Sequence, residues 1–194
     1  MQFGVGFVGK MNQIRMLYDK LLLDLKSSDI SNIVIAIDGV AGSGKTTLAQ
    51  KLAQDLEDSQ IIHMDDLYQG WDKPFSSDLI SRVISQVLDP FSTLVESQYS
   101  KYNWRSNSFD TFQKLKPSKY LILEGVGAAQ SAFHKYCYKI IWLEMDVDVG
   151  FERVLRRDGE QYREKMRKFL IDQAELFAKE ATKNQADYIF EGAP

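Results

Sequence analysis

Lys45, Thr46 and the carboxylates Asp38, Asp65 and Glu124 are the side chains whose types and spacing could do chemistry in this sequence. Lys45 and Thr46 close the run Gly39-Val40-Ala41-Gly42-Ser43-Gly44-Lys45-Thr46-Thr47, in which two glycines bracket four residues before the lysine. Such a turn lets successive backbone N–H groups converge on one anion, joined by the positive end of the helix that follows. The lysine amine would reach the outer phosphates of a polyphosphate, and the threonine hydroxyl would ligate Mg²⁺. Residues 39 to 47 are therefore the expected ATP-binding residues.

Acidic side chains beside a triphosphate are costly unless they hold a metal ion, its waters, or a hydroxyl that must lose a proton. Asp65 follows the second expected strand and is the natural acceptor-side base. The other readings for it are a metal-water ligand and a helix cap. Glu124 ends the third expected strand, where it either joins Thr46 around the metal or orders the loop backbone. Asp38 ends the first strand, with a metal role and a structural contact equally open. The cationic side must come from elsewhere, because one lysine does not cover the charge that spreads over a transferred phosphoryl group. Arg153, Arg156 and Arg157 are the catalytic candidates: Arg153 and Arg157 share a helical face, and Gly159 just beyond permits a hinge. An exposed charged helix is the alternative.

Tyr68, Trp71, Tyr102 and Trp104 lie in two polar segments, where flat rings suit a planar acceptor. Anchoring of a long loop in the core is the competing reading. Asn103 and Arg105 would supply polar selectivity to the same pocket. His63 reads as a strand-end packing residue, His134 as a surface residue, and Cys137 as a buried small hydrophobe.

These residues need a scaffold. Ile33 to Asp38 is a buried strand, and Leu48, Leu52, Ala53 and Leu56 form the apolar stripe of the helix that leaves the glycine-rich turn. Further strands are expected at Gln60 to Met64, Tyr120 to Glu124, Lys139 to Leu143 and Asp187 to Phe190. Helices are expected after Ser76 or Ser77 up to Pro90, from Val149 to Arg157, and along the spacing from Tyr162 to Ala181. A short helix fits Ser131 to His134, and Thr93 to Thr111 reads as an irregular excursion on the substrate side. Alternation of this kind predicts an α/β fold, a three-layer α/β/α sandwich with a mostly parallel sheet of about five strands. A leading helix, marked by Ile14, Leu17, Leu21, Leu22 and Leu25, makes residues 1 to 32 a helical extension of a single domain spanning 1 to 194.

The chain has 194 residues, 44% of them hydrophobic, and a formal net charge of −3. That balance argues against a nucleic-acid partner, and no run approaches a membrane span or a signal peptide. A single cysteine fits a reduced, cytoplasmic setting. A small-molecule substrate is the expected partner, with self-association into a homodimer left open.

From Ile33 to Phe190 the sequence resembles the phosphate-loop nucleoside kinases of the uridine kinase type, within the P-loop NTPases, and more closely a bacterial branch of small ATP-binding proteins. The resemblance rests on the phosphate loop, on Asp65-Asp66-Leu67-Tyr68, on Leu123-Glu124-Gly125, and on the arginine-bearing segment Arg153 to Asp158. It implies ATP-dependent phosphoryl transfer, with Asp65 as base for a sugar 5′-hydroxyl, Tyr68 near the nucleoside, and lid arginines on the transferred phosphate. Where the branch carries Tyr-Asp-Trp, this chain has Tyr102-Asn103-Trp104. A nucleoside monophosphate kinase would need further cations near the acceptor, and only Lys73 and Arg82 are close in sequence. Other metabolite kinases of this build, and an ATP-dependent binding or switch module, complete the alternatives.

Overall fold

The computed structural model describes residues 3–193, the side chains of residues 3–8 and 10 aside. Five strands, β1 (Ile33–Gly39), β2 (Ser59–His63), β5 (Tyr120–Glu124), β6 (Cys137–Leu143) and β7 (Tyr188–Phe190), form one sheet in the order β2-β5-β1-β6-β7. Every pairing in it is parallel. All seven residues of β1 are buried, as befits a central strand covered on both faces.

Alternation along β1 sorts the two faces. Ile33, Ile35 and Ile37 join a cluster with Leu48 and Leu52 of α2 (Lys45–Asp55) and with Leu21 and Leu25 of α1 (Phe3–Lys26). The leading helix is thus built into the same core as the helix after the phosphate loop. Val34 points the other way, into a cluster with α3 (Ser77–Val83), α5 (Val147–Asp158) and α6 (Arg163–Glu180). The result is the expected three-layer sandwich.

Two elements depart from expectation. The segment read as irregular contains an antiparallel hairpin of β3 (Ser97–Asn103) and β4 (Ser108–Leu115), separate from the main sheet. Much of β4 is exposed, so its side chains show little of the alternation that marks a half-buried strand. The second departure is the helical run that begins with α3, which does not stop at Pro90. A π-helical turn at Ile84–Leu88 leads into α4 (Asp89–Ser92). The widened turn accommodates a proline that lacks an N–H and crowds the preceding turn.

Candidate active site

The site lies at the carboxyl ends of β1, β2 and β5, where open α/β sheets bind ligands. Gly44 caps α2 with no side-chain hydrogen bond to its first turn, whereas Ser76 and Asp146 cap α3 and α5 in the ordinary way. The amides at the start of α2 are left for a ligand, as an anion site requires. The Ser43 hydroxyl, buried inside the loop, also lacks a hydrogen-bond partner. Lys45 is folded back, its Nζ donating to the carbonyls of Gly39 and Val40 at 2.9 Å each. Burial pushes its pKa down, opposed by Asp38, Glu124 and Asp65.

Backbone contact shapes the loop from outside. Gly42 has φ +80°, and a Cβ there would sit 2.3 Å from the carbonyl oxygen of Gly150. A Cβ on Gly150 would in turn meet the Ala41 carbonyl oxygen at 2.3 Å. The first turns of α5 therefore rest directly on the phosphate loop, and only glycine fits at either position.

Asp38 departs from its metal reading. It is 0% exposed, and both oxygens are taken: Oδ1 accepts from the N–H groups of Gly39 and Gly127, Oδ2 from that of Ala129. It stitches the loop after β5 to β1, which is the structural contact. Burial raises its carboxyl to about 6 against the lowering effect of these hydrogen bonds.

Glu124 is 4% exposed and stands in register with Ile37 on one side and His63 on the other. Its Oε1 accepts from the Thr46 hydroxyl at 3.0 Å and pairs closely with His63 Nδ1. His63 is thus more than a packing residue: its bond to Glu124 raises its pKa above the ordinary imidazole range. Mg²⁺ commonly takes one or two protein oxygens and completes its shell with water and phosphates. The Thr46 hydroxyl and Glu124 carboxylate fit that donor set, and among the described residues no group of three or more His, Cys, Asp or Glu forms a ready cage.

Asp65 sits in a 3₁₀ turn, Met64–Asp66, immediately after β2. Its side chain reaches solvent yet is crowded by protein. That crowding and the nearby Glu124 raise its carboxyl above the usual range, while Lys45, Arg157 and His63 oppose the shift. Among the arginines of α5, Arg157 lies in the field of Asp65, Glu124 and Lys45. Its guanidinium is held in two 2.7 Å bonds by Asp158, the main reason its pKa is raised. All three arginines, Arg157 included, are exposed on α5.

The aromatic residues divide. Trp71 and Trp104 meet edge to face at 5.2 Å, and Trp104 donates its indole N–H to the Asp65 carbonyl at 3.0 Å. Trp71 also stacks on Tyr162 in the 3₁₀ turn after α5, and Tyr102 packs between Trp104 and Phe109. Trp104 keeps 38% of its surface exposed and fronts this group. Tyr68 behaves differently: it is 1% exposed, edge-on to Phe75 and Phe169, with its hydroxyl donating to the Val126 carbonyl at 2.6 Å. It anchors the loop in the core, the alternative reading for these rings. Asn103 is also otherwise engaged. Its Oδ1 accepts from the backbone N–H groups of Arg105 and Ser106, and its Nδ2 donates to Asp110. That is a side-chain-stabilised turn closing the hairpin, which removes Asn103 as a reader of an acceptor ring. Arg105 is exposed at the hairpin tip.

Two residues here had no functional signal in the sequence. Gly150 resembles any helical glycine until α5 is placed against the loop. Gln173 falls on the apolar stripe of α6, yet its Oε1 accepts from the Ala41 N–H at 2.9 Å.

A parallel sheet with a glycine-rich phosphate loop at the end of its central strand defines a P-loop NTPase. The model of the AAA domain family matches residues 35–178, most of the chain, and the protein belongs to that family. No curated protein matches it. Among solved structures it is similar to a possible uridine kinase from Bacillus stearothermophilus, at 17% identity and TM-score 0.66, covering 92% of this chain and 100% of the other. It is similar too to a candidate fructose transport system kinase from Silicibacter sp. TM1040, at 16% identity and TM-score 0.68, covering 91% and 98%. At such identities the likeness is one of fold. No helix among the described residues is long and apolar enough to cross a membrane.

Proposed function

We propose that the protein transfers the γ-phosphoryl group of ATP to a hydroxyl of a small uncharged acceptor, the 5′-hydroxyl of a pyrimidine nucleoside being the best fit. The observation that carries this reading is the placement of Asp65. It is a solvent-accessible carboxylate in the field of Lys45 and Arg157, with an exposed tryptophan hydrogen-bonded to its own backbone. A hydrolase has no need of an aromatic wall beside the nucleophile's position.

In this scheme the acceptor oxygen bonds to the γ-phosphorus, the bridge to the β-phosphate breaks, and the hydroxyl proton passes to Asp65. Lys45 leaves the loop carbonyls for the phosphates, and Arg157 adds charge where negative charge spreads over the transferred group. Bound at Thr46 and Glu124, Mg²⁺ would supply further neutralisation of the phosphates.

Three cations near the aromatic group, Arg82, Lys101 and Lys168, favour a neutral ligand. Arg82 donates to the Leu67 carbonyl at 2.7 Å and lies over the Phe109 ring; Lys101 pairs with Asp66 at 2.9 Å, and Lys168 with Asp72. Each is engaged within the protein, whereas an acceptor phosphate would need such groups free. The test is ADP release from Mg²⁺-ATP against uridine, cytidine, deoxynucleosides, nucleoside monophosphates, shikimate, gluconate and pantothenate. Uridine or cytidine should stimulate release most. Preference for a monophosphate or a non-aromatic acid overturns the nucleoside assignment, and release that no acceptor stimulates overturns the kinase.

A further inference from the structure

One face of α6 runs past three loops of the site. Met166, Phe169, Gln173 and Leu176 are its buried residues, and Gln173 is the polar member of that stripe. Phe169 packs against Tyr68, Trp71 and Phe75 in the loop that follows Asp65. One turn later Gln173, 2% exposed, accepts from the Ala41 N–H in the phosphate loop. Leu176 then meets the loop after β5, lying 3.2 Å from where a Cβ on Gly127 would stand. A buried amide on an apolar helix face is costly unless it is hydrogen-bonded, so its presence here calls for the partner it has.

We propose that Gln173 is a positioning residue for nucleotide: from α6 it holds the Ala41 amide outward and so fixes the curvature of the phosphate loop. The inference rests on the reading of that loop as the nucleotide site. Ala41 and Gly42 are gripped from two sides, by the Gln173 side chain and by the backbone of Gly150. The glycine contact limits how close α5 can come but supplies no acceptor for the Ala41 N–H. Without Gln173 that buried donor is orphaned, and the loop must shift to satisfy it. The amides meant for phosphate shift with it. Because Phe169 and Gln173 are four residues apart on one helix, the spacing between acceptor loop and phosphate loop is set by a single rigid element.

The test is Gln173→Met, which keeps length and apolar fit but removes the acceptor oxygen. Binding of ADP and ATP is titrated directly, without acceptor, alongside thermal melting and the amide proton shift of Ala41. We expect the dissociation constants to rise about tenfold, the scale of an unsatisfied buried donor. The Ala41 amide should lose its hydrogen-bonded shift, and the acceptor KM should change less than the ATP KM. Gln173→Asn, one methylene too short to reach, serves if the methionine variant does not fold and should weaken nucleotide binding in the same direction. A folded variant of either kind that binds nucleotide as tightly as the wild type overturns the proposal, even if its melting temperature falls. Failure of the wild type itself to bind ADP or ATP strikes the underlying reading instead, so the two failures are distinguishable.

Discussion

The phosphate loop and the aromatic group beside Asp65, the acceptor side in the proposed function, are built from different materials. On the phosphate side, backbone meets backbone at Gly42 and Gly150, Asp38 is consumed by three main-chain amides, and Glu124 is nearly enclosed. On the acceptor side, tryptophan and tyrosine rings touch edge to face, Trp104 is partly exposed, and Arg82 and Lys101 are spent inside the protein. A polyphosphate has one shape, so its site can be cut into the backbone. Rings adapt by sliding and tilting, and an aromatic contact contributes only about 0.5–1.5 kcal/mol beyond the area it buries. The difference teaches where precision lies: substitutions on the phosphate side should abolish turnover, and those on the acceptor side should retune it.

The sharpest break is Lys45→Ala. Removing a cation from the transferred phosphoryl group should lower kcat by about three to five powers of ten, the scale of comparable charges in phosphoryl transfer. Circular dichroism should show the fold unchanged; wild-type turnover would end the asymmetry. Asp65→Asn stands at the boundary of the two sides and should cost about two to four powers of ten in kcat with ATP affinity unchanged. A variant with full kcat and poor Mg²⁺-ATP binding would move Asp65 to the metal.

The arginines of α5 sharpen the comparison next. Arg157→Ala should lower kcat by about one to two powers of ten while ground-state ATP binding changes little. Arg153→Ala and Arg156→Ala should stay within a few-fold, and equal losses in all three would show that the field around Arg157 has no catalytic meaning. On the acceptor side, Trp104→Ala should raise the acceptor KM about five- to a hundredfold, the range of base stacking measured by alanine replacement, with kcat much less affected. A loss confined to kcat would place Trp104 with the chemistry instead.

The smallest effect is on pH dependence. The raised Asp65 carboxyl must be ionised to take a proton, so kcat/KM should be present above that raised value and fall as pH drops through it. The acid limb of the wild type should therefore lie above the usual carboxylate range. Asp65→Asn, measured with the same Mg²⁺-ATP, should lack that component while sharing any limb that belongs to ATP; superimposable profiles would count against Asp65 as the group.

How much of this was legible before folding depends on the range of the interaction. The phosphate loop is a run of neighbours, and its glycines, lysine and threonine act through backbone geometry within a few residues. The unbroken apolar run of β1 likewise marked a buried strand, and the alternation of elements declared the sandwich covered on both faces. By contrast, Gln173 and Ala41 are 132 positions apart, and Asp38 and Ala129 are 91 apart. No spacing rule predicts such pairs, because a polar residue on an apolar stripe looks the same whichever loop it will meet. The hairpin was missed because β4 is largely solvated, and Tyr68 and Asn103 were misplaced because ring and amide chemistry serve a core or a turn as readily as a ligand. The sequence by itself determined the class of fold and the phosphate-binding turn, both written in local pattern. Only the tertiary structure decided which carboxylate is structural, which glutamate meets the loop threonine and which helix grips the loop, because those outcomes depend on contacts made across the sheet.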